Sequence, residues 1–136
     1  MDEKHKIVVI EDEAILANSL AEELKDNGFA VSLAFDGVAG LALCLEEKPD
    51  LILLDLLIPK QDGFAVITAL RANPEWSLTP IIVLSNFGRD TEIKRALEIG
   101  ADDYFVKSQH SLKEIVERVK EYLNGKRVIN VPVIGT

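Results

Sequence analysis

The stretch Leu51-Ile52-Leu53-Leu54-Asp55-Leu56-Leu57-Ile58 is apolar at every position but one. A strand with one solvated face alternates apolar and polar residues. An unbroken run instead means burial on both faces, as in a parallel sheet covered by helices. Ile7-Val8-Val9-Ile10 and Ile81-Ile82-Val83-Leu84, the latter entered through Pro80, carry the same signature. Phe29–Ala34 and Tyr104-Phe105-Val106 read as two further strands.

Between these runs, apolar residues recur at helical spacing. The sets are Ile15, Leu16, Leu20 and Leu24, stopped by Asn27-Gly28; Val38, Leu41, Ala42 and Leu45 after Asp36-Gly37; and Phe64, Ile67 and Leu70 after Asp62-Gly63. Ile93, Ala96 and Leu97 mark a fourth helix over 89–99, and Leu112, Ile115, Val116, Val119 and Leu123 a fifth, stopped by Asn124-Gly125. Five β–α units in series predict one α/β domain over 1–124, a five-stranded parallel sheet with helices on both faces. Residues 125–136 are apolar and β-prone but interrupted by Pro132; they read as a tail packed on the body rather than as an added edge strand or a docking segment.

The composition narrows the function. A length of 136 residues with 48% hydrophobic and 28% charged suits one globular domain, and the net charge of −8 argues against non-specific binding to nucleic acid or anionic membrane. The charge is uneven: residues 1–103 hold 9 basic and 20 acidic side chains, residues 104–136 hold 6 and 3. The single cysteine, Cys44, excludes an intramolecular disulfide and a multi-cysteine metal site, and its helical context makes it a small core residue. The first residues lack the apolar run of a signal peptide, and no segment has the ~18–20 apolar residues of a membrane span, so a cytoplasmic protein is expected.

In an open α/β sheet, ligands bind beyond the carboxyl ends of the strands. The residues there are Glu11-Asp12-Glu13, Asp55, Ser85-Asn86 and Lys107-Ser108. Asp55 is the most informative, because a lone carboxylate is costly inside an apolar run and no helix follows closely enough for it to cap. Glu11, Asp12 and Asp55 would repel one another without a cation. Few hard oxygen ligands beside a lysine suit Mg²⁺ that keeps several waters, better than Ca²⁺. Carboxylate, Mg²⁺, hydroxyl and ammonium together make a phosphoryl-transfer site with Asp55 as nucleophile.

The sequence resembles the receiver domain of two-component response regulators over 5–124. The resemblance rests on Ile7-Val8-Val9-Ile10-Glu11-Asp12, on Asp50–Asp55 with Pro59 and Asp62-Gly63, on Ile82-Val83-Leu84-Ser85, and on Gly100–Lys107. It implies a flavodoxin-like (βα)5 fold of strand order 2-1-3-4-5. It implies that Asp55 accepts a phosphoryl group from a sensor histidine kinase or phosphotransfer protein, with Mg²⁺ held by Asp12, Asp55 and the Leu57 carbonyl directly and by Glu11 through water. Lys107 would bind the phosphoryl group, Ser85 would be the switch hydroxyl, and Tyr104 the aromatic moving with it. The switched surface would be the fourth helix, fifth strand and fifth helix, acting on a downstream protein or forming a homodimer. The chain would catalyse only its own phosphorylation and dephosphorylation, with no direct nucleic-acid or membrane contact. Lys94, Arg95, Lys113, Arg118 and Lys120 fall on those helices; pairing with acids of a partner or second copy, and a salt-bridged helix face, are equally expected.

Three departures stand out. Ser108 replaces the proline usual after the lysine, which makes a cis peptide unexpected and the 108–111 loop adaptable, with the orientation of Lys107 left open. Asn86 follows Ser85 where the family prefers a smaller residue, narrowing access to Asp55. Leu57 and Phe87 occupy the positions that tune water access in the family; both are apolar, so slow self-dephosphorylation is expected.

A stand-alone signalling module is the first reading, and a receiver cut from a larger, for example DNA-binding, regulator is the alternative. A Mg²⁺-dependent phosphatase would need an acid at Leu57, and a flavin protein a Ser/Thr/Gly-rich loop in place of Glu11-Asp12-Glu13. A degenerate scaffold is disfavoured because every phosphorylation residue is present.

Overall fold

The strands β1 (Lys6–Ile10), β2 (Ala30–Ala34), β3 (Leu51–Leu54), β4 (Ile81–Ser85) and β5 (Asp103–Val106) pair in parallel in the order β2-β1-β3-β4-β5. The structure is a computed structural model describing residues 4–58, 62–86 and 88–124. The expectations placed on Pro59, Phe87 and the 125–136 tail fall outside those residues. Helices α1 (Ala14–Asp26), α2 (Gly37–Glu47), α3 (Gly63–Ala72), α4 (Asp90–Ile99) and α5 (Leu112–Leu123) complete the five units.

Alternation along the central strands splits the core into two clusters. Val8, Ile10, Ile52 and Leu54 pack with Val66, Ile67 and Leu70 of α3 and Ala96 of α4. Ile7, Val9, Leu51 and Leu53 pack with Leu20 and Leu24 of α1 and Ile115, Val116 and Val119 of α5. Each fully buried Leu or Ile side chain contributes about 1.5–3 kcal/mol of transfer free energy. Apolar residues on both faces of one strand are the reason these runs do not alternate.

In α1 one expected residue lies outside, and α2 buries a face other than the expected one. In α1 the buried residues are Ala17, Leu20, Ala21 and Leu24, whereas Ile15 is 85% exposed. The cause is angular, since Ile15 sits about 140° from Leu20 around the helix at 100° per residue. In α2 the buried residues are Gly37, Gly40 and Cys44, while Val38 and Leu45 lie outside. A Cβ at Gly40 would come within 2.5 Å of Ile10 Cδ1, so the small residues let α2 approach β1 closely. Cys44 is buried, and burial pushes its thiol up to about 12, as befits a core residue.

Strand and helix limits shift by a residue for local reasons. β2 begins at Ala30 because the Phe29 N–H is taken by the Leu24 carbonyl at the end of α1. Asp36 and Asp62 cap α2 and α3 by accepting from Ala39 N (2.7 Å) and Ala65 N (2.9 Å). Ser111 and Glu114 form a reciprocal capping box on α5.

Two short 3-10 turns, Pro74–Trp76 and Lys107–Gln109, have no signature in the sequence pattern. At the far end of the sheet, Arg71 donates to the carbonyls of Gly100 (2.8 Å), Trp76 (2.7 Å) and Thr79 (2.8 Å) and to Asp102 Oδ2 (2.7 Å). That single guanidinium ties α3, the first of these turns and the α4–β5 loop together.

Candidate functional site

The register brings the strand ends into line. Ile10 pairs with Leu54, Leu54 with Val83, and Ser85 with Val106, so the residues just after β1, β3 and β5 share one edge with Ser85. Glu11 and Asp55 stay buried there, and the Asp55 N–H donates to the Ile10 carbonyl at 2.9 Å. The start of α3 packs tightly on the end of β3: a Cβ at Gly63 would lie 2.5 Å from Leu56 Cα and 2.7 Å from the Asp55 carbonyl oxygen.

Lys107 is the centre of charge. Its Nζ lies 2.7 Å from Glu11 Oε1, 2.9 Å from Asp55 Oδ2 and 3.1 Å from Glu13 Oε1. The orientation of this lysine, left open by the sequence, is thus held by three carboxylates. These partners raise its pKa above the ordinary lysine value against the opposing effect of burial. The 108–111 segment makes contacts of its own. Lys107–Gln109 forms the 3-10 turn, and His110 packs edge-on against Phe105 with Nδ1 3.1 Å from Glu114 Oε2. Among the described residues no peptide bond is cis.

Asp55 accepts from the Leu57 N–H through Oδ1 (3.1 Å) and from Lys107 through Oδ2 (2.9 Å). The contact Leu57 makes with Asp55 is therefore through its N–H, while its side chain is exposed. Glu11 accepts the Glu13 N–H at Oε2 (3.1 Å). Burial pushes its carboxyl up to about 7, with Lys107 acting in the opposite sense. The buried Glu11 Oε1 has the Lys107 ammonium, 2.7 Å away, as its charged partner.

One carboxylate oxygen each from Glu11, Asp12 and Asp55 lies within 4.8 Å of the other two. Asp12 is exposed, which gives the cluster a wet side. Three clustered carboxylates with open access to water have the donor chemistry for a small dication, such as Mg²⁺, that keeps part of its hydration shell.

Ser85 is fully buried at the end of β4, and its side chain hydrogen-bonds Tyr104. Tyr104 is half-buried; burial raises its phenol pKa and the Ser85 bond opposes the rise. All six expected residues with chemistry therefore gather on one edge. Sequence reasoning left Glu13 out of this group, although it is the third acid of the Glu11-Asp12-Glu13 triplet.

On the basic face, much of the charge is satisfied within the chain. Arg95 stacks over Phe64 with 4.0 Å to the ring centroid. Arg118 pairs with Asp103 and, at 3.1 Å, with Glu121, and Lys120 lies 3.1 Å from Glu117. For these three residues, the salt-bridged or stacked helix face is what the structure contains. No helix among the described residues is long and apolar enough to cross a membrane.

Known proteins share this fold. The response regulator receiver domain model matches residues 7–120. The receiver domain of Francisella response regulator 1452 superposes with a TM-score of 0.84 at 28% identity, covering 91% of this chain and 100% of that one. The BeF3-activated N-terminal receiver domain of Klebsiella pneumoniae RstA gives a TM-score of 0.81 at 29% identity, covering 88% and 98%. The Mn(2+)-bound form of response regulator Rcp1 gives 0.75 at 25% identity, covering 88% and 94%. With the family model spanning most of the sequence and the acidic edge in place, the chain belongs to the response regulator receiver domains of two-component signalling.

Proposed function

We propose that Asp55 is the phosphoacceptor of this receiver and that a histidine kinase or phosphotransfer protein is its donor. The observation that carries the reading is the meeting of Asp55 with Lys107 at 2.9 Å beside Glu11 and Asp12. An Asp55 carboxylate oxygen attacks phosphorus, the bond to the donor imidazole nitrogen breaks, and the imidazole leaves with the electron pair. Asp12, Asp55 and the Leu57 carbonyl, with Glu11 acting through water, would hold Mg²⁺, which would neutralise charge on the phosphoryl oxygens when bound. The related Rcp1 is described as Mn(2+)-bound, which supports a divalent ion at such a site.

Lys107 then exchanges its contact with Asp55 Oδ2 for a phosphoryl oxygen. Ser85 exchanges Tyr104 for another, releasing the phenol to follow. That is a local charge event with a distant readout, here the surface of α4, β5 and α5. A downstream protein or a second copy of the chain reads that surface; the similar RstA receiver domain is described as BeF3-activated. The apolar Leu57 and Phe87 offer no group to orient water, so the acyl phosphate persists, and Asn86 narrows access to it.

The test is loading with acetyl phosphate and Mg²⁺, followed by intact mass and size-exclusion chromatography of wild type and Asp55→Asn. One phosphoryl adduct on wild type and none on the variant is expected. An adduct on the variant overturns the assignment. Loss of the adduct as fast as in chemotaxis-type receivers overturns the slow decay.

A further inference from the structure

Glu13 has no assigned part in phosphoryl transfer, yet it shares the lysine on which that transfer depends. It is the N-cap residue of α1, a position where Ser, Thr, Asp or Asn normally caps the helix with the side chain. Here the side chain makes no capping bond. It reaches from the β1–α1 junction to Lys107 on the far side of β3 and β4, with Oε1 3.1 Å from Nζ.

The other two carboxylates on Lys107 are almost wholly buried, whereas the Glu13 side chain is 60% exposed. Glu13 is therefore the carboxylate at the mouth, on the solvent side of the ammonium. Any phosphodonor that presents its oxygens to Lys107 must take the place of, or pass beside, this charge.

We propose that Glu13 is a specificity-determining residue that disfavours small anionic phosphodonors at Asp55. The inference rests on Asp55 being the phosphoacceptor. Two effects act in one direction: the carboxylate repels an approaching anion, and it competes with the phosphoryl oxygens for Lys107. A folded protein donor can offset the repulsion with its own contacts around the edge; a free small donor has none.

Two donors separate the charge effect from a general loosening. With acetyl phosphate, a dianion, Asp55 attacks phosphorus, the P–O bond to the acetyl group breaks, and acetate leaves with the electron pair. With phosphoramidate, whose net charge near neutrality is one unit smaller, the P–N bond breaks and ammonia leaves. Full-length wild type, Glu13→Gln, Glu13→Asp and the remote exposed α1 variant Glu22→Gln are compared in Mg²⁺ by intact mass against time.

A unit charge removed a few ångströms from a dianion across a wet mouth changes its binding by about fivefold. Glu13→Gln is accordingly expected to lower the acetyl phosphate KM by about that factor while the saturating rate moves less. The gain is smaller with phosphoramidate and fades at high salt. Glu13→Asp keeps the charge and stays near wild type, as does Glu22→Gln. An unchanged or slower Glu13→Gln overturns the inference, and so does a gain equal for both donors or insensitive to salt. Absence of any adduct on wild type overturns instead the phosphoacceptor reading beneath it.

Discussion

Lys107, in the turn after β5, and Glu11, at the end of β1, meet 2.7 Å apart although the glutamate side chain is only 2% exposed. Burial raises the Glu11 carboxyl from 4.5 to about 7. An acid with a higher pKa folded than unfolded binds more protons in the folded state. Its stabilising contribution is present below about pH 4.5 and is lost as pH rises through about 7. Wild type should lose on the order of 3 kcal/mol across that window from this group alone. Urea denaturation of Glu11→Gln at several pH values checks it: the variant should show a flatter profile, and an unchanged slope contradicts the account.

The same proton competes with Mg²⁺. Stabilisation by Mg²⁺, read as the shift in Tm on adding the ion, should grow between pH 6 and pH 8 as Glu11 ionises, and Asp12→Asn should abolish most of it. A pH-independent shift would place the ion away from Glu11. Chelation should stop loading from acetyl phosphate.

Removing Lys107 leaves Glu11 and Asp55 buried without their cation. Lys107→Met should cost about 3 kcal/mol at pH 8, and the cost should shrink towards pH 5 as Glu11 takes up a proton. Equal destabilisation at both pH values would mean that packing of the aliphatic stem dominates.

Gly63→Ala tests whether the α3 approach sets Asp55. The added methyl meets backbone rather than a flexible side chain, so the β3–α3 loop must move. A loss of about 2 kcal/mol with slower phosphoryl loading is expected. Normal loading would show that the loop relaxes without displacing the carboxylate.

Arg71→Met separates scaffold from site. It takes the charged donor from three carbonyls and from Asp102, whose Oδ2 keeps only the Ile81 N–H (2.8 Å), and should lower stability by about 2–4 kcal/mol, read by chemical denaturation. The rate of loading at a temperature where the variant stays folded should be unchanged, because the network lies at the opposite end of the sheet.

The three central strands were legible because double-sided burial leaves a continuous apolar run, and Asp55 was legible as its one interruption. Helix faces were less so. Ile15 lies about 140° around α1 from the buried Leu20, and Val38 and Leu45 lie outside because α2 packs through Gly37, Gly40 and Cys44, a face that hydrophobicity underrates. The Arg71 network joins residues up to 31 positions apart and has no local pattern. Glu13 was visible only as a third acid; its contact with Lys107 spans 94 positions and depends on the sheet order bringing β1 and β5 loops to one edge.

The central claim is that the phosphoryl group resides on Asp55. Borohydride reduction of the loaded protein converts a phosphorylated aspartate to homoserine, which peptide mass spectrometry locates in the sequence. The account predicts homoserine at position 55 in wild type, dependent on Mg²⁺. Homoserine at another acid, or a stable adduct with no reduction at position 55, would contradict it.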